Sequence, residues 1–224
     1  MTVSIIARCA RSGQFGVAAA TAVPAVGKLL THAAPRIGAI ATQARLNPYL
    51  GIDGLALLRE GLSAHEVLER LRARDPRIEA RQVAVIDAAG RTAAHTGAEN
   101  LDYAEHRALD GFSVQGNRLV GPAVLDAMIE TFLARAEVDL AERFIETLEA
   151  AAEAGGDREG ERSATIYVMA DEEYPLWDIR VDEADDPIAE LRRLHDVFAR
   201  ELLPEICRMP SRADPGGAAD EWDV

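Results

Sequence analysis

Four stretches of this chain have the length of β-strands but do not alternate apolar and polar residues. They are VSIIA, GVAAATAV, QVAVI and ATIYVM, and each is apolar at successive positions, hence on both faces of a strand. An antiparallel sheet with one face in water would alternate. These strands therefore need one face against a second sheet and the other against helices. The pattern predicts an α+β protein in which two mainly antiparallel sheets pack together between helices, a four-layer α-β-β-α sandwich.

The strands come in hairpin pairs, and helices separate the hairpins. The hairpins are VSIIARC with FGVAAATAV, RQVAVID with RTAAHTG, and SATIYVMA with PLWDIRV; RIGAIATQA and GFSVQGN predict two further strands, the second ending at Gly116. NPYLGIDG interrupts the pattern with Pro and Gly. The predicted helices are GLALLREG, SAHEVLERLRARD with a capping box at Ser63 and Glu66, PAVLDAMIETFLAR, VDLAERFIETLEAAAEA, and a closing helix from Pro187 behind the cap Asp186. Because helices do not separate the strands one by one, a parallel doubly wound sheet is disfavoured.

One domain accounts for nearly the whole chain. A length of 224 residues suits a single core, and we assign residues 1–208 to it. Residues 209–224 are rich in Pro, Gly, Ala and acidic residues, a composition typical of disorder. We therefore expect a disordered acidic tail after the domain.

Charge and cysteine content restrict the partners and the compartment. The formal net charge of −14 at pH 7 argues against nucleic acid, which needs a basic face. No apolar run has the length of a membrane span, and Arg8 and Arg11 interrupt the first residues, unlike a secretory signal. Cys9 and Cys207 are too few for a disulfide framework. We expect a cytoplasmic protein whose partner is a small-molecule substrate, and neither nucleic acid nor membrane.

Several common catalytic signatures are absent. HEVLE at His65 has Glu69 where a metalloprotease would have its second zinc-binding His, and the five His residues show no ligand spacing. GGDREG lacks the Lys–Ser/Thr pair of a phosphate loop, and there is no G-x-S-x-G elbow. We therefore expect no metal and no cofactor.

The start of the chain offers a nucleophile. Thr2 follows Met1 and leads directly into the strand VSIIA. Removal of Met1, which is usual before a small residue, would leave Thr2 with a free α-amine whose pKa is about 7.7–8.0. That amine can take the proton of the hydroxyl on the same residue, so Thr2 would supply both nucleophile and base. Ser4, on the same face of the strand, is the alternative catalytic hydroxyl if Thr2 stays blocked.

Polar residues at two other strand ends are candidates for the rest of a site. In GFSVQGNRL, Gln115 and Asn117 flank a Gly and could donate hydrogen bonds to an oxyanion; turn hydrogen bonds are the alternative role for Asn117. In GAIATQARLNP, Thr42, Gln43 and Asn47 precede a loop closed by Pro. We treat these three as substrate-binding candidates.

The end of the first strand supplies one more candidate. Arg8 could bind a substrate carboxylate, with a surface ion pair as its alternative role. If the site exists, Thr2 should lie at the base of a cleft between the two sheets. The segments Thr42–Gln43 and Gln115–Asn117 should reach it, since an oxyanion donor must come within roughly 2.7–3.1 Å of the developing charge.

Seven stretches of the chain match a known family. They are TVSIIAR, GQFGVAAAT, GAIATQARLNPYLG, RQVAVIDAAGRTAAHTG, GFSVQGNRLVGPAVLDAM, LAERFIETLEAAAEAGGDREGERSA and LWDIRVDEADDPIAELRRL, which span roughly residues 2–198. The chain resembles the family catalogued as domain of unknown function 1028, which is similar to the N-terminal nucleophile (Ntn) hydrolases. The resemblance implies an Ntn-hydrolase-like fold, a hydrolase site and self-association.

Two functions are compatible with these observations. The first is an Ntn-type amidohydrolase that cleaves a small amide, ureide or peptide-like bond through Thr2. The second is a non-catalytic small-molecule-binding or assembly protein on the same fold, because no Lys/Asp pair stands beside Thr2 in the sequence. For the homo-oligomer that the resemblance implies, GLALLREG and neighbouring apolar faces could supply the contact.

Overall fold

The structure, a computed structural model, describes residues 2–101, 103–156 and 159–217. Within these ranges the chain is an α+β protein with two antiparallel sheets and six α-helices. The strands are β1 (Thr2–Arg8), β2 (Phe15–Thr21), β3 (Thr31–Ala34), β4 (Gly38–Ala44), β5 (Arg81–Asp87), β6 (Thr92–Thr96), β7 (Tyr103–Leu109), β8 (Phe112–Leu119), β9 (Ser163–Met169) and β10 (Pro175–Val181). The helices are α1 (Pro48–Arg59), α2 (Ala64–Arg74), α3 (Ala123–Ala134), α4 (Leu140–Glu153), α5 (Pro187–Glu201) and α6 (Leu203–Ile206).

β1 is an inner strand of the larger sheet. That sheet has the order β10-β9-β2-β1-β8-β7, and the smaller sheet has the order β3-β4-β5-β6. β1 pairs antiparallel with β2 on one side and with β8 on the other. In this register Thr2 stands opposite both Thr21 and Asn117. The start of β1 therefore meets the ends of β2 and β8.

Three apolar clusters account for the strands that do not alternate. One joins strands of both sheets and contains many small residues, among them Ala19, Ala41 and Ala84. The second packs the larger sheet against α3, α4 and α5, and the third packs the smaller sheet against α1 and α2. β2 is buried at all seven positions, as expected for a strand that is covered on both faces.

The predicted hairpins and helix caps are confirmed. The three hairpins are β1–β2, β5–β6 and β9–β10. Ser63 and Glu66 begin α2 with reciprocal side-chain-to-backbone hydrogen bonds. Asp186 caps α5 by accepting from the Ala189 amide at 3.0 Å.

The prediction that NPYLGIDG interrupts the chain before the first helix is wrong. α1 begins at Pro48, and its N-cap is Asn47, whose side chain accepts from the Tyr49 amide at 3.2 Å. Gly51 lies inside this helix, and a Cβ at this position would lie 2.0 Å from the His32 ring. The glycine therefore marks a close approach of helix and strand and not a break in the helix.

The apolar pattern does not predict strands β3 and β7, and it predicts too short a strand β8. β3 and β7 are edge strands, and β7 is only partly buried along its length. An edge strand carries polar residues on its open side, so a search for strands apolar on both faces does not detect it. β8 continues past the predicted end at Gly116 to Leu119.

Part of the predicted tail lies beyond the described residues, namely residues 218–224. Before them, Tyr174 Oη donates to the Pro210 carbonyl at 3.0 Å. Arg212 forms an ion pair with Glu173. The start of the predicted tail therefore contacts the turn between β9 and β10.

The helices give two further results. None of the described helices is both long enough and apolar enough to cross a membrane. The apolar residues of GLALLREG lie in α1, where Leu55, Leu57 and Leu58 are buried in the cluster beneath the helix. The large apolar residues exposed on α1 are instead Tyr49 and Ile52.

Candidate active site

A cavity of about 520 Å³ lies at the start of β1. Its lining comes from the strand ends at β1, β2, β4 and β8 and from the loop between β6 and β7. The lining includes the polar residues Thr2, Thr21, Arg45, Glu99, Asn117 and Arg118. A volume of this size is typical of small-molecule sites.

Thr2 lies on the wall of this cavity. It is the first residue of β1 and is half-buried. Its Oγ1 lies 3.0 Å from Thr21 Oγ1 on the neighbouring strand, so the two hydroxyls are hydrogen-bonded. Met1, whose removal the catalytic hypothesis requires, lies outside the described residues.

A buried polar network lies between the sheets next to the cavity, with Gln82 of β5 at its centre. Gln82 Oε1 accepts from Gln43 Nε2 at 2.7 Å and from Asn117 Nδ2 at 3.1 Å. Gln82 Nε2 lies 2.9 Å from both Thr96 Oγ1 and the Gly116 carbonyl. Gln82 is fully buried, so these bonds replace those it would make to water. The network connects the smaller sheet to β8 of the larger one.

Ser4 belongs to the same network and does not line the cavity. Its hydroxyl donates to Gln43 Oε1 at 2.6 Å and accepts from Gln115 Nε2 at 2.6 Å. Gln115 Oε1 in turn accepts from Ser113 Oγ at 3.1 Å. Ser4 is fully buried, so its hydroxyl is placed to hold the two amides and not to meet a substrate. Gln43 Nε2 also lies 3.5 Å from the Thr2 carbonyl.

The structure brings some of the candidate residues together and separates others. Thr2 and Asn117 line the cavity, and Ser4, Gln43 and Gln115 lie beside it in the network.

Three other candidates lie elsewhere. Thr42 is on the opposite face of β4 from Gln43 and donates to the Asn47 carbonyl at 3.2 Å. Asn47 caps α1, and its Nδ2 donates to Asp75 Oδ2 at 2.8 Å. Arg8 is at the far end of β1, with its guanidinium 5.9 Å from the centre of the Phe15 ring. None of these three lines the cavity.

Sequence reasoning missed Gln82 and two arginines of the cavity wall. Arg45 and Arg118 follow the candidate strand ends in TQAR and QGNR. The shared pattern of an amide residue shortly before an arginine at the end of a strand could have identified both. Gln82 is the polar residue near the start of RQVAVID, and a polar residue inside a strand that is otherwise buried is a signal of a buried network.

His106 extends the network on the side of β7. Burial lowers the pKa of His106, and the neighbouring His95 lowers it further. Its Nδ1 lies 2.9 Å from Thr96 Oγ1, which in turn lies 2.9 Å from Gln82 Nε2. The neutral ring of His106 is therefore favoured in the folded state.

A comparison with protein families decides which family the chain belongs to. A model described as "Family of unknown function (DUF1028)" matches residues 2–191. The chain belongs to this family. The resemblance found in the sequence is thereby confirmed at the level of the family. A search of the curated proteins finds no match.

Two solved structures are similar to this member of the family. The crystal structure of protein SPO2555 from Silicibacter pomeroyi, titled as family-model DUF1028, is 28% identical with a TM-score of 0.89, covering 98% of this chain and 99% of that chain. The two chains therefore share one fold over nearly their whole lengths. Anbu (ancestral beta-subunit) from Yersinia bercovieri is 13% identical with a TM-score of 0.42, covering 88% of this chain and 97% of that chain. This second similarity is too distant to carry an inference.

Proposed function

We propose that this protein is an Ntn-type amidohydrolase that cleaves an amide, ureide or peptide-like bond of a small molecule, with Thr2 as nucleophile after removal of Met1. The observation that carries the proposal is the position of Thr2, which lines a cavity of about 520 Å³ at the start of β1. A nucleophile on an inner strand can meet a substrate only where the sheets open. This cavity is such an opening.

The proposed reaction uses groups on one residue for attack and proton transfer. The α-amine of Thr2 takes the hydroxyl proton as Oγ1 attacks the substrate carbonyl. The resulting ammonium gives that proton to the leaving nitrogen as the C–N bond breaks, which leaves an ester on Thr2. The same amine then removes a proton from water, the water oxygen attacks the ester, and the acid is released as Oγ1 regains a proton. Thr21, hydrogen-bonded to Thr2, orients the attacking hydroxyl.

Asn117 is the proposed donor to the oxyanion. It lines the cavity, stands opposite Thr2 in the register of β1 and β8, and is 6% exposed. A fixed amide donor stabilises the charge that develops on the carbonyl oxygen. Ser4 and Gln115 act as positioning residues, because their bonds hold Gln43 and thereby Gln82, the hydrogen-bond partner of Asn117.

The proposal includes a four-layer α-β-β-α stacking of the Ntn-hydrolase type. Its support is the apolar cluster shared by strands of both sheets, together with the two clusters that join each sheet to helices. Many reactions occur on one fold, so the position of Thr2 carries the proposal and the stacking only agrees with it.

We also propose a reducing, cytoplasmic setting and self-association. Cys9 and Cys207 are both free thiols, as is usual in such a compartment. Tyr49 and Ile52 are 67% and 52% exposed on α1 and offer apolar surface for an isologous contact. Light scattering should then give a mass at least twice that of one 24.2 kDa chain, and a mass near that of a single chain would contradict self-association.

The test combines the state of the N-terminus with turnover. Intact mass spectrometry on protein from its native host should show a chain that begins at Thr2. That protein should hydrolyse at least one member of a panel of small chromogenic anilides, and Thr2→Ala should lower kcat/KM by about a thousandfold or more. Thr2→Ser should retain measurable turnover because it keeps a hydroxyl on the same residue.

Thr131→Ala is the matched control, since Thr131 lies on α3 and does not line the cavity. It should turn over substrate at the wild-type rate. Equal turnover by wild type and Thr2→Ala would remove Thr2 from the mechanism. A native mass that includes Met1 would favour the second candidate, a binding protein on the same fold.

A further inference from the structure

We infer that the cavity beside Thr2 binds a ligand with one carboxylate, held by Arg45 and Arg118, so that the substrate of the proposed hydrolase is an amide carrying a carboxylate and an apolar group. That this ligand is a substrate rests on the proposed function. The binding of the carboxylate itself follows from the cavity wall alone.

The first support is the local charge. The described lining residues carry two positive side chains, Arg45 and Arg118, and one negative side chain, Glu99. The lining is therefore net positive by one charge, although the chain as a whole has a formal net charge of −14. A net positive wall in an acidic protein attracts a single anionic group against the overall field.

The second support is that neither arginine is neutralised. Within the part of the chain that the structure describes, Arg45 and Arg118 form no ion pair. Other arginines of this chain do, for example Arg91 with Asp87 at 2.8 Å and Arg135 with Glu146 at 2.6 Å. A guanidinium offers two parallel N–H donors that fit a carboxylate. Both arginines therefore keep this capacity for a ligand.

The third support is the backbone at the two strand ends. Four non-glycine residues of the described ranges have a positive φ, and two of them line this cavity: Ala44 at 66° and Arg118 at 55°. Such a conformation is costly for residues with a Cβ and is concentrated at active sites and ligand-binding sites. Ala44 directly precedes Arg45, so each cavity arginine stands at or beside a left-handed residue.

The loop that carries Arg45 is held in place by its surroundings. The Arg45 amide donates to the Ala80 carbonyl at 3.1 Å, and the Arg45 carbonyl accepts from Arg81 Nη1. Arg81 is in turn paired with the buried Asp75 through Nε at 3.0 Å. The position of the Arg45 backbone is thus fixed before any ligand binds, which lowers the entropic cost of binding.

The rest of the wall indicates the uncharged part of the ligand. Val23 and Leu101 line the same cavity and are 57% and 61% exposed. They offer apolar surface next to the charged one. A ligand with a short hydrocarbon or aromatic group and one carboxylate would contact both kinds of surface.

Equilibrium binding of two probes without an amide bond tests the inference separately from hydrolysis. The probes are 4-phenylbutanoate and the neutral 4-phenylbutan-1-ol, which share one skeleton, titrated into the full chain by NMR. The acid should bind saturably and about tenfold more tightly than the alcohol. Arg45→Gln and Arg118→Gln should each lower the affinity for the acid about tenfold and leave the affinity for the alcohol unchanged.

Arg59→Gln is the matched control, because Arg59 is exposed, lies at the other end of α1 and does not line the cavity. It should bind the acid like wild type. Absence of saturable binding of the acid, equal affinity for acid and alcohol, or equal effects of all three variants would each overturn the inference. Selective binding of the acid in a protein whose turnover does not depend on Thr2 would uphold the carboxylate site and reject the proposed reaction. Turnover that depends on Thr2 but is confined to neutral anilides would uphold the proposed reaction and reject the carboxylate site.

Discussion

Replacing Gln82 with Leu removes the centre of the buried network at nearly constant volume. Two buried donors, Gln43 Nε2 and Asn117 Nδ2, lose their shared acceptor Gln82 Oε1. Each buried polar group left without a partner costs about 1–3 kcal/mol. Gln43 Nε2 keeps only the long contact of 3.5 Å to the Thr2 carbonyl. We therefore expect Gln82→Leu to lower the free energy of unfolding by about 3 kcal/mol.

Urea denaturation followed by circular dichroism measures this loss, with the slope m showing whether the unfolded state has changed. Gln14→Leu is the matched control, since Gln14 is partly exposed in the β1–β2 turn and its side chain makes no hydrogen bond among the described residues. The control should change stability by less than about 0.5 kcal/mol. If both variants lose the same free energy, the network does not connect the sheets in the way described.

Three further predictions concern other parts of the molecule. Because burial lowers the pKa of His106, with His95 lowering it further, the unfolded state binds the proton more readily, and stability should fall as the pH falls below about 6.5. His106→Gln should reduce this dependence of the urea midpoint between pH 8 and 5, and the partly buried His32, whose pKa is also lowered by burial, accounts for part of the remainder. A midpoint independent of pH in wild type would contradict this prediction. Gly51→Ala should destabilise the protein by about 1–3 kcal/mol, because the new Cβ would lie 2.0 Å from the His32 ring and this overpacking outweighs the gain of about 1 kcal/mol in helix propensity. An unchanged thermal midpoint would show that the His32 ring or the helix moves aside at no cost. Asp75→Asn should cost about 2 kcal/mol by leaving Arg81 without its buried carboxylate, whose side chain is 4% exposed, and a urea midpoint equal to that of wild type would refute this role.

Much of the fold could be predicted because its signals are local. The β1–β2 hairpin follows from apolar runs on either side of a glycine turn, and the start of α2 follows from Ser63 and Glu66. The Asn47–Pro48 pair is also a local signal, since Asn is a good N-cap and Pro suits the first turn. The start of α1 at this pair is missed when Gly51 and Gly54, which follow it, are interpreted as a break in the helix.

Which residues belong to the site depends on the register of strand pairing and on the direction of each strand. The sequence shows these less clearly than it shows local turns and caps. Thr42 and Gln43 are neighbours on opposite faces of β4, and only pairing with β5 decides which of them meets Gln82. Arg8 lies six residues along β1 from Thr2, a separation of about 20 Å in a strand, so its distance from Thr2 could have been calculated. Arg45 lies just beyond the end of β4, where a loop from elsewhere in the chain holds it.

Trapping the acyl group on the protein shows whether Thr2 is the nucleophile. The mono-p-nitrophenyl ester of 3-phenylglutaric acid, which keeps one free carboxylate and an apolar ring, is mixed with protein from which Met1 has been removed. The mixture is quenched rapidly, digested and mapped by mass spectrometry. Attack by Thr2 releases p-nitrophenolate and leaves the acyl group on the enzyme. We predict the added mass on the peptide that begins at Thr2, together with its loss in Thr2→Ala and its presence in Thr131→Ala. An adduct of equal amount in Thr2→Ala, or one confined to other peptides, would contradict this prediction.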